Sequence, residues 1–310
     1  MLSTYSATIL TIESDMKALV TGGAGFIGSH LVDELTKQGY EVIVLDDESA
    51  DSEQFYKNPK ARYAKVDISN YQLSNTFYAG VDYVFHLAAE SKIGPAIENP
   101  IRATQKNVVG TCTVLQCARQ WGVKKVIYSS TSAAYGDNPT PNIESQPDDC
   151  LNPYSVTKVA GEKLCQMYTD LFDLKTVTFR YFNVYGDRAP KKGQYAPVIG
   201  IFQRQKAAGE PLTIVGDGEQ RRDFIHVSDV VNANILAATK DIDDECYGTV
   251  YNVGSGKNYS VNQIADWIST NQTNIPPRDG EARVTLANVE RMRLTFGWEP
   301  KVELSEWINA

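Results

Sequence analysis

Residues 16–47 read MKALVTGGAGFIGSHLVDELTKQGYEVIVLDD, and this stretch decides the fold. Lys17–Thr21 is a short run of β-branched and aliphatic residues, as a buried strand requires. Gly22, Gly25 and Gly28 follow at once. Phe26, Ile27, Leu31, Val32 and Leu35 then recur at helical spacing until Gly39 stops the helix. Glu41–Leu45 is a second buried strand. The order strand, glycine turn, helix, strand is the opening of a doubly wound, parallel α/β sheet.

The glycines define what the turn can hold. A dinucleotide pyrophosphate needs close backbone approach and free N–H groups at a helix N-terminus, and side chains at these positions would block it. Phe26 and Ile27 stand in the first turn of that helix and belong to the same cradle. Asp46 ends the second strand, where a carboxylate accepts hydrogen bonds from an adenosine ribose. Asp47 and Glu48 add negative charge and no Arg or Lys lies nearby in the sequence, so a 2′-phosphate is repelled and NAD is expected over NADP. Such a glycine pattern taken alone marks no more than a tight turn. Its place between strand and helix, with the acid at the right remove, gives it meaning.

With 310 residues the chain forms one large α/β domain or two unequal lobes, and 42% hydrophobic residues suffice for a full core. A net charge of -8 argues against a nucleic-acid or anionic-membrane surface. The histidines His30, His86 and His226 are scattered, and the five cysteines contain no Cys-x-x-Cys pair. No metal site or disulfide framework is expected, and the thiols suit the reducing cytoplasm. Residues 1–15 precede the first strand. Their apolar run Ala7–Ile12 has neither a basic start nor spanning length, so they are expected to form a loosely attached extension. No transmembrane segment is expected elsewhere.

Arg62–Val66 is a third strand, with Asp67-Ile68 at its end, where an adenine is read. Asp82–Ala89 (DYVFHLAA) is a continuous apolar strand, as parallel sheets require. Its small Ala88 and Ala89 either let a cofactor pass close or pack tightly against a helix. Pro100–Trp121 is a helix containing Asn107, whose amide either bridges backbone near a cofactor or satisfies a loop. Lys124–Ser130 is a strand ending in a run of hydroxyls, Ser129 to Ser132, at the sheet edge where open α/β sheets bind ligands. Asn152-Pro153 caps and opens the next helix. Thr176–Val184 is another buried strand, and Tyr185–Tyr195 a loop suited to a lid. Beyond residue 195 the alternation loosens. Leu212–Val215 and Val250–Val253 are short strands, Gln220–His226 carries Arg221 and Arg222, Ser228 caps a helix to about Thr239, and Ser260 with Gln263 makes a capping box.

Tyr154 and Lys158 lie one turn apart on one helix face. A free tyrosine, with a pKa of ~10, is too weak an acid to serve as a base at neutral pH. A nearby ammonium, a helix N-terminus and a nicotinamide cation all favour its phenolate. Tyr154 is therefore a candidate acid/base towards a substrate hydroxyl, with Lys158 lowering its pKa and holding the nicotinamide ribose, and Thr131 bonding the same substrate oxygen.

Together these residues resemble the extended short-chain dehydrogenase/reductase family of NAD-dependent nucleotide-sugar epimerases and dehydratases. The matching segments are TGGAGFIG at 21–28, Asp46, Asp67-Ile68, HLAA at 86–89, Asn107, SSTSAAYG at 129–136, Tyr154 with Lys158, RYFNVYG at 180–186, GDGEQRRDFIHVSDVV at 216–231 and NVGSG at 252–256. The resemblance implies a Rossmann domain over 16–186 and, over 187–310, mainly a smaller α/β lobe that binds a nucleotide sugar, some of its segments returning to the Rossmann sheet. It implies Thr131, Tyr154 and Lys158 as the catalytic trio. Leu87, Ala88, Ala89, Asn107 and Phe182 would line the cofactor, and Asn183, Arg222 and Arg278 the sugar diphosphate. Arginine forks suit phosphate oxygens. It also implies a homodimer paired through the helices Ile101–Arg119 and Tyr154–Leu171, both richer in apolar residues than one sheet contact needs.

Dehydratases of this family carry an Asp-Glu pair after the Thr, and decarboxylases keep the Glu. Here Ser132 and Ala133 stand there, and alanine cannot move a proton. The resemblance therefore implies a UDP-sugar 4-epimerase working through a 4-keto sugar. A uronate epimerase, dehydratase, decarboxylase or reductase is the alternative, and a non-enzymatic NAD-binding scaffold would be expected to lose Tyr154 or Lys158. Thr285 matches a position that is a bulky Tyr in epimerases restricted to plain hexoses, so a small residue there leaves room for an N-acetyl group. Alternatively Thr285 points into the core of the second lobe. Arg188, on the lid loop, offers a cation that would favour a uronate instead.

Overall fold

Strand β1 (Lys17–Thr21) sits inside a seven-stranded sheet in which every neighbouring pair is parallel. The computed structural model describes residues 16–50, 55–190, 197–277 and 282–309. After β1 comes helix α1 (Phe26–Lys37), then β2 (Glu41–Asp46) and β3 (Arg62–Lys65), stepping outward on one side. The short α2 (Tyr71–Ser74) leads back to β4 (Tyr83–His86), which pairs on the other flank of β1. The chain thus reverses its stepping direction between β1 and β4, and the crevice beyond their carboxyl ends is where such sheets bind ligands.

Helices α3 (Ile93–Glu98), α4 (Pro100–Thr104) and α5 (Gly110–Gln120) follow, then β5 (Lys125–Thr131), α6 (Pro153–Phe172) and β6 (Thr176–Tyr181). The second half supplies β7 (Asn183–Tyr185), α7 (Val198–Ala208), β8 (Leu212–Val215), β9 (Arg221–His226), α8 (Val227–Thr239), β10 (Val250–Val253), β11 (Asn258–Ser260), α9 (Val261–Ile268), β12 (Gln272–Ile275), α10 (Glu290–Phe296) and α11 (Leu304–Asn309). The main sheet runs β10-β6-β5-β4-β1-β2-β3, so its last strand comes from the second half of the chain. Strands β7, β9 and β11 form a small mixed sheet, and β8 pairs with β12.

Both faces of the main sheet are covered. Leu31 and Leu35 of α1 pack with Val230 of α8 and with Phe296 and Trp298 on one face. Val114 and Leu115 of α5 pack with Cys165 and Tyr168 of α6 on the other. A separate core of Phe202, Leu212, Phe224, Ile264 and Leu304 holds the smaller sheets together. Among the described residues no helix is long and apolar enough to cross a membrane.

Three local readings change. The strand expected over Thr176–Val184 breaks at Phe182, and β7 leaves the main sheet to pair with β9. The helix expected over Pro100–Trp121 contains a π turn, Gln105–Val109, where the backbone bonds skip one residue further. The cap of α8 is His226, whose ring accepts from the Ser228 amide, and not Ser228 itself.

Candidate active site

The glycine turn is shaped by contacts that tolerate no side chain. Gly22 has φ +72°, and a Cβ there would lie 2.7 Å from the Ala88 amide nitrogen. At Gly28 a Cβ would lie 2.2 Å from the Gly22 carbonyl oxygen. Gly25 is the N-cap of α1 and no side chain caps that end, so its first amides face the crevice. Asp46 accepts from the Ala24 amide at 3.0 Å and from the Glu48 amide at 2.8 Å. Burial raises its pKa, and those two N–H bonds pull it back. A bare helix terminus, two glycines that a Cβ would displace and a carboxylate at the second strand end fit a dinucleotide. Phe26 and Ile27 flank the opening. Phe26 packs edge-on to His30 and Ile27 leans on the core.

The adenine end differs from expectation in its charge. Lys106, on the π turn, donates to Asp47 at 2.6 Å and to Asp67 at 2.7 Å, while Lys57 and Lys65 pair with Glu48. Cations distant in sequence therefore partly neutralise the acidic cluster that Asp46, Asp47 and Glu48 form. Asp67 also accepts from the Ser69 amide and hydroxyl. Ile68 is buried, with its side chain filling the space beside Gly110.

Asn107 is 1% exposed and all of its amide is used. Its Oδ1 accepts from the Glu90 amide at 2.7 Å, and its Nδ2 donates to the Glu90 carbonyl and to the Thr157 hydroxyl at 2.9 Å. It ties the loop after β4 to the turn of α6 that carries Lys158. The Leu87 amide donates to the Thr21 carbonyl and the Ala88 amide to the Thr21 hydroxyl. Leu87, Ala88 and Ala89 thus pass directly over the end of β1, half-buried.

Asn152 caps α6 by accepting from the Ser155 amide, with Pro153 at the first position. That fixed start aims Tyr154 at Thr131, the last residue of β5, whose hydroxyl bonds the phenol. Burial raises the Tyr154 pKa and the Thr131 bond lowers it. Thr131 also accepts from the Ala133 amide at 3.1 Å, and neither Ser132 nor Ala133 supplies a carboxylate. Lys158 is 3% exposed, its Nζ 4.3 Å from the centre of the Tyr128 ring. Burial presses its pKa down to about 7, against the opposing pull of Cys165 and Glu162.

One further turn along α6, Glu162 forms an ion pair that sequence reasoning missed. Arg180 of β6 donates to both its oxygens, at 2.9 and 2.7 Å, and Ser130 donates to it at 2.5 Å. Arg180 also reaches Asp148 and lies over the Tyr135 ring. The signal was present, since an arginine inside the apolar run TVTFRY must find a partner.

Beyond the sheet, Phe182 is buried and stacks on Tyr135 at 6.2 Å. Asn183 donates to the Asp223 carbonyl at 2.9 Å. Arg222 donates to the carbonyls of Arg221 and Arg283, both at 3.1 Å. Asp223, also missed, is the hub of this lobe: its carboxylate accepts from the amides of Ser255, Gly256 and Ala287 and from the Ser255 hydroxyl. Thr285 is 6% exposed and its hydroxyl accepts from the Asp223 amide, which leaves its proton to donate. Arg188 turns away from the lobe. It pairs with Asp33 at 2.9 Å, bonds His30 and lies over the Tyr56 ring. Arg278 lies outside the described residues.

Residues 18–254 match the profile of the NAD dependent epimerase/dehydratase family. The chain is 35% identical over 300 residues to a putative UDP-glucose 4-epimerase of Methanocaldococcus jannaschii, covering 94% of this chain and 95% of the relative. The crystal structure of the UDP-glucose 4-epimerase of Thermotoga maritima with UDP-glucose is similar at a TM-score of 0.89 and 36% identity, covering 94% of this chain and 96% of that one. A UDP-N-acetylglucosamine 4-epimerase of Methanobrevibacter ruminantium, in complex with UDP-N-acetylmuramic acid, is similar at 0.88 and 33% identity, covering 95% and 96%. The likeness extends over nearly the whole chain and includes the crevice, and by it the chain belongs to the NAD dependent epimerase/dehydratase family.

Proposed function

We propose that this protein is a NAD-dependent UDP-sugar 4-epimerase of the UDP-glucose/UDP-N-acetylglucosamine type. The observation that carries the reading is the Thr131–Tyr154 contact above Lys158, with Ser132 and Ala133 beside it in place of an acid and a base. Such a site moves one proton at one hydroxyl, and Ser132 and Ala133 supply no carboxylate to expel water or direct loss of carbon dioxide.

When bound, NAD supplies a hydride acceptor that returns the hydride, and a positive ring that favours the Tyr154 phenolate. Tyr154 takes the proton of the sugar 4-hydroxyl, and Thr131 holds the same oxygen. Lys158 supplies positive charge beneath and a donor to the nicotinamide ribose. Returning the proton from Tyr154 to the oxygen after the 4-keto sugar has turned gives the epimer. Asn183, Arg222 and Arg278 would anchor the nucleoside diphosphate so that the sugar alone turns.

On the family resemblance, a small residue at Thr285 favours an N-acetylated sugar, where a phenol would fill the room its N-acetyl group needs. A second copy of this chain is the proposed partner. Ile97, Ile101, Val156 and Leu171 lie exposed on α3, α4 and α6, and pairing these helices would cover them. The five unpaired cysteines support work in the cytoplasm.

The test is to incubate the protein with UDP-glucose, UDP-N-acetylglucosamine and UDP-glucuronate and to separate the products by chromatography. The C4 epimer of the first two, without net reduction of NAD, is expected. A net oxidised, dehydrated or decarboxylated product would overturn the reading.

A further inference from the structure

The floor beneath Lys158 is Tyr128 of β5, a ring with no solvent exposure. It touches Lys158 twice. The ammonium lies 4.3 Å above the ring centre, and the phenol donates to the Lys158 backbone carbonyl at 3.2 Å. Helix α6 makes room for that phenol with Gly161, where a Cβ would lie 2.1 Å from the Tyr128 oxygen.

A chain of hydrogen bonds backs the phenol. The Ala88 amide donates to the Thr21 hydroxyl, and that hydroxyl and His86 Nδ1 bond at 2.8 Å. His86 Nε2 and the Thr111 hydroxyl bond at 2.9 Å, and Thr111 in turn meets the Tyr128 hydroxyl. Burial keeps His86 neutral, its pKa pressed to about 3. The loop over the β1 end is thereby linked to the backbone of the helix turn that carries Lys158.

We propose that Tyr128 is a positioning residue for the reaction: its ring face carries the Lys158 ammonium and its hydroxyl fixes the helix turn from which Lys158 projects. The proposal rests on the role given to Lys158 above. Its physical basis is the cost of an ammonium out of water, which an aromatic face offsets through its quadrupole. The other groups near Lys158 are Tyr154, Glu162 and Cys165 on α6, neutral His86 on β4, and Arg180 on β6, which is tied to Glu162. Phenylalanine and its fluorinated analogue both lack the hydroxyl, so a difference between them reports the ring face alone.

The test follows Lys158 itself. Protein labelled with 13C-lysine is titrated by NMR, with the Lys158 Cε resonance identified by its absence in Lys158→Met. Wild type, Tyr128→Phe, Tyr128→Leu and a variant with pentafluorophenylalanine at 128 are compared. The last keeps the ring volume and reverses the quadrupole, so it serves if the leucine variant does not fold. Tyr128→Phe should titrate with wild type and lose a few-fold in kcat. The leucine and fluorinated variants should titrate about one pH unit lower, with the alkaline limb of kcat moving down by the same amount. Equal midpoints in all variants would overturn the proposal. So would a Tyr128→Phe midpoint as low as that of the fluorinated ring. The titration needs no substrate, so failure of the epimerase reading would show in the product assay and leave this result standing.

Discussion

Replacing Gly28 by alanine is a small change with a calculable consequence. The added Cβ would lie 2.2 Å from the Gly22 carbonyl oxygen and 2.8 Å from Gly23 Cα, where ordinary contact begins at 3.4 Å. Both obstacles are backbone, so no side-chain rotation relieves them. The turn and the helix must part by about 1.2 Å, the difference between 3.4 and 2.2 Å. Alanine favours a helix over glycine by ~1 kcal/mol, and over-packing costs ~1–3 kcal/mol, so the fold loses at most ~2 kcal/mol. Ligand binding suffers more. A displacement of about 1 Å misaims the amides at the start of α1, and misplacement on that scale costs on the order of 100-fold where geometry is exacting. The expected outcome is a folded protein whose NAD dissociation constant rises about 100-fold, or ~2.7 kcal/mol. NAD content after purification, calorimetric binding and thermal unfolding with and without NAD measure it. An alanine variant that binds NAD as wild type does, with the same NAD-induced rise in Tm, would refute the cradle.

Two further outcomes are expected. Tyr154→Phe should keep the fold and NAD affinity while kcat falls at least ~100-fold, the low end for general acid–base catalysis; near-normal turnover removes Tyr154 from the mechanism. Wild type should have the mass of a dimer in solution scattering and the double change Ile101→Asp, Leu171→Asp that of a monomer, since both side chains are over 60% exposed in the single chain. A wild-type mass of one chain at every concentration contradicts the pairing.

What the sequence disclosed was what local chemistry encodes. Strand β1, the glycine turn, α1 and β2 are contiguous, and each carries its own periodicity and stop signal. Tyr154 and Lys158 share one helix, so their spacing alone brings them to one face. Arg180, Glu162, Asp148 and Ser130 converge from two strands, a loop and a helix, and no local pattern joins them. The same applies to Lys106, which meets Asp47 and Asp67 only because the sheet sets β2 beside β3. Arg188 folds back on Asp33 of α1, a partner 155 residues away that its own loop does not announce. The π turn escaped because apolar residues at helical spacing look the same when one turn widens. His226 was passed over as a cap because histidine is not among the residues favoured there.

Strand β10 has a consequence for how the protein is made. It completes the main sheet against β6, yet it leaves the ribosome about seventy residues later. Until Val250–Val253 arrives, the edge of β6 presents unpaired N–H and C=O groups along Thr176–Tyr181, a segment buried in the finished protein. Exposed edges of this kind template pairing between chains. A nascent chain, or a fragment ended before residue 250, would hold an almost complete nucleotide fold with one sticky side. Without the second half of the chain, that edge of the sheet would stay unsealed.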